Sequence, residues 1–186
     1  VPVTRILSPT PAAIQQAAQL LRQGELVAMP TETVYGLAAN ALNVEAVTRI
    51  FQTKERPTFD PLIVHIATSP YADLLSYLEH DLQLVDLSSY SAQAQQQVLI
   101  LLEAFWPGPL TFVLPKTSTV PDLVTSGLNT VALRMPRHPV AQALLQAAQI
   151  PLAAPSANRF GRISPTTAQA VLTELHDRIA LILDGG

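Results

Sequence analysis

Glu25-Leu26-Val27-Ala28-Met29-Pro30-Thr31-Glu32-Thr33-Val34-Tyr35-Gly36 is a short apolar run that breaks at a proline into a polar loop. Glu25 to Met29 reads as a buried strand, and Pro30 to Gly36 as the loop that follows it. Upstream, Thr10-Pro11 followed by Ala12 to Gln23 and then Gly24 carries a helix cap, a proline at the first helical position and a glycine stop. Downstream, Asn43 can cap a second helix, with Val44, Val47, Ile50 and Phe51 at helical spacing. A helix, a strand, a polar loop and another helix within about fifty residues is an α/β pattern.

The same alternation continues along the chain, less regularly. Lys54 to Pro61 reads as a proline-bounded loop and Leu62 to Ile66 as a strand. Ser69 to Glu79 and Gln93 to Glu103 read as helices, with a solvated polar stretch, Asp86 to Gln97, between and into the second. Trp106 to Pro109 is a turn, and Leu110 to Leu114 and Val131 to Met135 are strands. Val140 to Gln149 is a helix, Pro151 to Ala154 a strand, Thr167 to His176 a helix and Ile179 to Leu183 a last strand. Short apolar strands among helices predict an open α/β sheet with helices on its faces. Strand order does not follow from this, and no internal repeat is visible.

With 186 residues the chain is read as one domain over 1–186. Apolar residues make up 48% and charged residues 13%, where about 25% charged is usual, so a large core is expected. Net charge is −3. That argues against broad nucleic-acid affinity, which comes from Lys and Arg, and predicts at most weak direct RNA binding. Cysteine is absent, which removes disulfides, zinc-thiolate sites and thiol nucleophiles and fits a reducing, cytoplasmic setting. No signal-like stretch opens the chain, and no apolar run nears the roughly 18 residues of a membrane span. The absent initial Met points to processing or an incomplete start. Sixteen prolines fall mostly between periodic segments, where they pre-order loops.

No Gly-x-x-x-x-Gly-Lys-Ser/Thr, Gly-x-Gly-x-x-Gly or Gly-x-Ser-x-Gly motif is present. His65, His80, His138 and His176 have no metal-ligand spacing, so no protein-held metal is expected. A site must therefore come from separate loops, and four segments qualify. Pro30 to Leu37 puts two hydroxyls and a carboxylate after a strand, where open α/β sheets bind ligands; a plain polar turn is the alternative. Lys54 and Arg56 can face one anion from an extended loop, or form a solvated surface pair. Arg134, inside an apolar strand, needs a carboxylate partner, either an internal Asp/Glu or a ligand. Ala153 to Asn158, with Gly161, Ser164 and Pro165, lets a ligand near the backbone and supplies hydrogen bonds, or is a turn and helix cap.

Together the strings PTETVYGL (30–37), KERP (54–57), PLIVH (61–65), WPGPLT (106–111), TVALRMP (130–136), APSAN (154–158) and SPT (164–166) resemble the YrdC-type domain of the threonylcarbamoyl-AMP synthase family. The resemblance implies a single YrdC-like α/β domain with a large twisted mixed sheet and a concave, positively charged cavity. It implies that Lys54, Arg56, Ser156 and Asn158 surround ATP, that Asp60, Thr130 and Ser164 also contact the nucleotide, and that Thr33, His65, Arg134 and the main chain near Ala154 hold L-threonine. Asp60 stands where the family often has Asn. The implied reaction joins L-threonine, bicarbonate and ATP, with Mg²⁺ on the phosphates, into threonylcarbamoyl-AMP and pyrophosphate. The product passes to a downstream tRNA threonylcarbamoyl transferase complex that modifies adenosine beside the anticodon. The family usually continues past Asp184-Gly185-Gly186 into a Gly- and Ser/Thr-containing segment that helps enclose the ligands, so the C-terminal end is expected to be short.

Two other readings share the fold. One is a paralogue that binds nucleotide or RNA without synthesis; the complete Lys54, Arg56, Ser156, Asn158 set and the acidic charge argue against it. The other is the carbamoyltransferase domain of hydrogenase maturation, whose acylphosphatase and zinc-finger companions are not in this sequence.

Overall fold

The apolar residues of the strands alternate strictly between two cores, and that alternation builds the molecule. The computed structural model describes residues 3–68 and 73–186. Strands β1 (Arg5–Leu7), β2 (Val27–Met29), β3 (Gly36–Asn40), β4 (Ile63–His65), β5 (Phe112–Pro115), β6 (Thr130–Arg134), β7 (Leu152–Ala153) and β8 (Leu181–Leu183) form one sheet. Their order is β1-β8-β2-β3-β7-β4-β6-β5. The pairs β1/β8, β2/β8 and β4/β6 are parallel; β2/β3, β3/β7, β4/β7 and β5/β6 are antiparallel. The sheet is mixed and large, as the family resemblance implies.

Successive strand side chains face opposite ways. Val27, Met29, Ala38, Leu152, Leu181 and Leu183 enter a core with helices α1 (Pro11–Arg22) and α6 (Pro139–Ala148). Ala28, Leu37, Ala39, Val64, Val131, Leu133, Ala153 and Ile182 enter the opposite core. Helices α2 (Val44–Lys54), α4 (Ala92–Phe105), α5 (Asp122–Thr125) and α7 (Ala168–Leu175) each give buried residues to that second core. Toward β4, β6 and β5 the first face becomes polar and partly open. Thr130 and Ala132 are half-buried there, and Val113, opposite Ala132 in the register, is exposed. The sheet thus carries a shelf at one end, and His65 and Arg134 lie on it as register partners.

Helix caps follow the sequence reading. Thr10 accepts from Ala13 N with Pro11 first in α1, and Asn43 accepts from Glu45 N and Ala46 N. Five elements differ from that reading. β1 and β3 are strands the sequence did not announce, and α5 is a one-turn helix within an unassigned stretch. The helix expected over 69–79 is described only from α3 (Leu74–Ser76), which runs into a π-turn, Tyr77–Asp81; residues 69–72 lie outside the described residues. The strand expected at Leu110 begins at Phe112, because Leu110 O accepts from Trp106 Nε1 at 2.8 Å and closes the turn instead. Among the described residues no helix is long and apolar enough to cross a membrane.

Candidate active site

Arg134 is the centre of one half of the site. It ends β6 and is almost fully buried, so its five N–H donors need partners. Nε donates to Gly108 O at 3.3 Å, and Nη1 donates to Thr33 Oγ1 at 3.1 Å. Nη2 lies 2.9 Å from Glu32 Oε1, but its N–H groups do not align with any acceptor. The contact is a charge pair, and Nη2 keeps an unfilled donor. Both readings of Arg134 are therefore met in part: an internal carboxylate faces it, and capacity for a ligand remains.

The loop after β2 is built to present Glu32 and Thr33. Thr31 Oγ1 donates to Val34 O at 2.6 Å and accepts from Thr33 N and Val34 N, both at 3.2 Å. With its proton committed, Thr31 Oγ1 accepts from Thr33 Oγ1 at 3.1 Å, which leaves Thr33 Oγ1 free to accept from Arg134. The other Glu32 oxygen, Oε2, accepts from Arg137 N at 3.1 Å and His138 N at 3.4 Å, just before α6. Burial alone would raise the Glu32 pKa; the Arg134 guanidinium and the backbone N–H groups outweigh it and hold it below the usual value.

The Trp106-to-Thr111 string forms the wall beside Arg134. Gly108 N donates to Met135 O at 2.8 Å, and Arg137 Nε donates to Pro107 O at 3.1 Å. A Cβ on Gly108 would sit 2.4 Å from Phe105 O, so only glycine brings a carbonyl this close to Arg134. Trp106 packs edge-on against Phe112, with ring centroids 5.4 Å apart.

His65 faces the same shelf. It is buried, and its Nδ1 has no partner. Burial, and then the nearby Arg134 charge, push its pKa down to about 4, so the ring is neutral at pH 7. A neutral imidazole with an unpartnered nitrogen can meet a ligand's hydrogen-bonding group.

The other half is centred on Lys54. It is the last residue of α2, not a loop residue as the sequence suggested, and only 1% of its surface is exposed. Its Nζ donates to Ser156 O and Asn158 O. Burial, and then Arg56, lower its pKa to about 8. Glu55 caps the helix in a left-handed conformation, φ 55°, and turns Arg56 away. Arg56 Nη2 pairs with Asp60 Oδ2 at 2.8 Å and donates to Pro61 O at 3.1 Å. Lys54 thus lies at a helix end and Arg56 beyond a left-handed turn, not side by side on an extended loop.

Asn158 donates through Nδ2 to Arg159 O and Arg162 O, both at 2.8 Å, while its Oδ1 is buried without a partner. Phe160 N donates to Lys54 O at 2.8 Å, and Glu174 pairs with Arg159 and Arg162 at 3.5 and 3.6 Å. The 156–162 turn is wrapped around the lysine. Gly36 pairs with Ser156, and a Cβ on Gly36 would lie 3.2 Å from Ala154 Cβ, so its absence lets the two segments approach.

The two halves are joined by one stretch of chain. His65 pairs with Leu152 across β4/β7, Ala154 N donates to Ile63 O at 3.0 Å, and Ser156 receives Lys54. At about 3.3 Å per extended residue, Leu152 to Ser156 spans no more than about 13 Å. Arg134, Thr33, His65, Ala154, Ser156, Asn158, Lys54, Arg56 and Asp60 therefore belong to one linked framework. Thr130 shares the face of Arg134 by alternation. Ser164 is exposed and lines a cleft of about 370 Å³ with Thr166, Thr173 and Glu174. Among the described residues, no hydrogen bond ties Thr130 or Ser164 to Lys54. The sequence reading does not identify Glu32 as the partner of Arg134, although the carboxylate and the arginine's need for one are both visible in it. It also missed Tyr35, whose hydroxyl accepts from Gly185 N at 3.0 Å and donates to Gly186 O at 3.2 Å.

Comparison with known proteins places the chain in a family. The Sua5/YciO/YrdC family model, described as "Telomere recombination", matches residues 19–186. A threonylcarbamoyl-AMP synthase of Pyrococcus abyssi is 46% identical over 173 residues, covering 93% of this chain and 46% of that protein. One from Bacillus subtilis is 47% identical over 187 residues, covering 100% and 50%. The chain thus spans about half the length of these curated relatives. The crystal structure of P. abyssi Sua5 complexed with L-threonine superposes with a TM-score of 0.84 at 42% identity, covering 100% of this chain and 50% of that one.

Proposed function

The chain belongs to the Sua5/YciO/YrdC family, and we propose that it makes threonylcarbamoyl-AMP and pyrophosphate from L-threonine, bicarbonate and ATP, for threonylcarbamoyl modification of tRNA adenosine beside the anticodon. One observation carries the reading: a buried arginine with an unfilled donor and a buried, helix-end lysine are tied to one framework, through β4 and the chain from Leu152 to Ser156. An amino-acid carboxylate fits the first and polyphosphate the second. Names of the relatives and the threonine bound to P. abyssi Sua5 support the same assignment.

In this reading Arg134 takes the threonine carboxylate, and Thr33 and neutral His65 line the seat. The amine adds to bicarbonate with loss of water, giving a carbamate. A carbamate oxygen then attacks the α-phosphorus of ATP, forming the P–O bond as the bond to the pyrophosphate oxygen breaks. Lys54 and Arg56 stabilise the charge on the phosphates, with Ser156 and Asn158 shaping the turn around them. Such a transfer needs positioning and charge stabilisation, not a side-chain nucleophile. Magnesium enters with ATP as part of the substrate. Among the described residues no group of three or more His, Asp or Glu is arranged to hold a metal, and the free Asn158 Oδ1 is the sort of single oxygen Mg²⁺ uses alongside phosphates and water. The cytoplasmic location and the downstream transferase complex follow from the same reading.

Pyrophosphate release tests it. Release should require ATP, L-threonine and bicarbonate together. Release indifferent to threonine would leave an ATPase or a different acyl acceptor.

A further inference from the structure

The Arg134 cluster contains a carboxylate that the proposed chemistry does not use: Glu32. Its carboxylate is held from two sides. Oε1 lies 2.9 Å from Arg134 Nη2, and Oε2 accepts from the backbone of Arg137 and His138 at 3.1 and 3.4 Å. The second attachment does not involve Arg134, so Glu32 stays seated when the guanidinium takes another partner. The remaining supports of the Arg134 head are neutral acceptors, Gly108 O at 3.3 Å and Thr33 Oγ1 at 3.1 Å. Among the described residues, Glu32 is the one anion paired with it.

We propose that Glu32 is a positioning residue: anchored on the two amides before α6, it fixes the Arg134 guanidinium so that the unfilled Nη2 donor faces an incoming amino-acid carboxylate. The proposal rests on the reading of Arg134 as the threonine seat. Charge alone predicts the opposite sign. A carboxylate beside Arg134 repels a second carboxylate and lowers its affinity, so a mere competitor would improve threonine binding when removed. A positioning residue weakens it when removed, because the fork loses its fixed direction. Charge-assisted hydrogen bonds of this kind are worth on the order of 10-fold or more in affinity.

The experiment compares the full chain with Glu32→Gln and Glu32→Asp. In pyrophosphate release, Glu32→Gln is expected to raise the threonine KM about 10-fold or more, with the ATP KM and kcat within about 2-fold. Glu32→Asp, which keeps the charge on a shorter arm, should recover part of the loss. An unchanged or lower threonine KM in Glu32→Gln overturns the proposal. So does a loss that falls equally on threonine and ATP, or one not relieved by aspartate. A second arm needs no ligand. The Arg134 Nε–H resonance, assigned by its disappearance in Arg134→Lys, should exchange with solvent faster in Glu32→Gln than in the natural sequence, at equal melting temperature. Equal exchange overturns positioning. If the natural sequence binds no threonine by calorimetry, the functional reading fails, while the exchange arm still decides the role of Glu32.

Discussion

Lys54→Ala should lower both stability and ATP affinity, because the structure gives this side chain two duties. Its Nζ donates to the carbonyls of Ser156 and Asn158. Alanine leaves both acceptors unpaired, at about 1–3 kcal/mol each when buried. Three methylenes leave the interior with it, about 2 kcal/mol more. Against this, burying the ammonium is unfavourable: a pKa lowered from 10.5 to about 8 corresponds to about 3 kcal/mol at pH 7. The net is a destabilisation of about 3 kcal/mol, which for a chain of this size lowers Tm by roughly 10 °C. Lys54→Met keeps most of the stem and removes the charge, so its net loss should be about 1 kcal/mol. Both variants should lose about 10- to 100-fold in ATP affinity. Calorimetric melting and ATP titration of the three proteins separate the duties. If Lys54→Ala melts with the natural sequence and loses only ATP, the turn at 156–158 does not depend on the lysine, and the reasoning fails.

ATP binding to the ligand-free protein should weaken as pH rises through about 8, where Lys54 loses its proton; calorimetry at pH 7 and 9 checks this, and Lys54→Met should show no such fall. Stability should respond to His65 in acid. Its folded pKa of about 4 lies below the ordinary histidine value of 6.5, so the unfolded chain binds the extra proton between those values; the stabilisation is complete above pH 6.5 and is lost, by about 3 kcal/mol, as pH falls toward 4. Denaturant melts at pH 7 and 4.5 measure it, and His65→Gln should flatten the slope. Arg134→Lys keeps the charge facing Glu32 but loses the planar fork shared by Gly108 and Thr33. Threonine binding in the presence of ATP should drop at least about 10-fold while ATP binding alone holds within about 2-fold; the reverse pattern would move Arg134 to the phosphate half.

What the sequence showed was set by local signals. Thr10-Pro11 and Asn43 announce α1 and α2 because caps act within one turn. β3 was hidden because Gly36-Leu37-Ala38-Ala39-Asn40 has little strand preference; it is a strand because β2 and β7 flank it on both sides. β1 is three residues long and pairs with β8 at the far end of the chain, a partner no local pattern can name. The site was legible as four separate segments, two of which carry Lys54 and Arg134. Their environments were not. Lys54 seemed to sit on a polar loop because charged residues usually do, yet α2 ends on it and the 156–162 turn encloses it. Glu32 and Arg134 are 102 positions apart, and only the strand order brings them into contact.

In the proposed reaction one framework joins an amino acid, a one-carbon unit and a nucleotide. Mass spectrometry of a reaction with ¹³C-bicarbonate, L-threonine and ATP reads out that joining. A single adenylate that carries threonine and one ¹³C atom is expected, formed with an equal amount of pyrophosphate. An adenylate without threonine, or ADP and phosphate in place of AMP and pyrophosphate products, would contradict it.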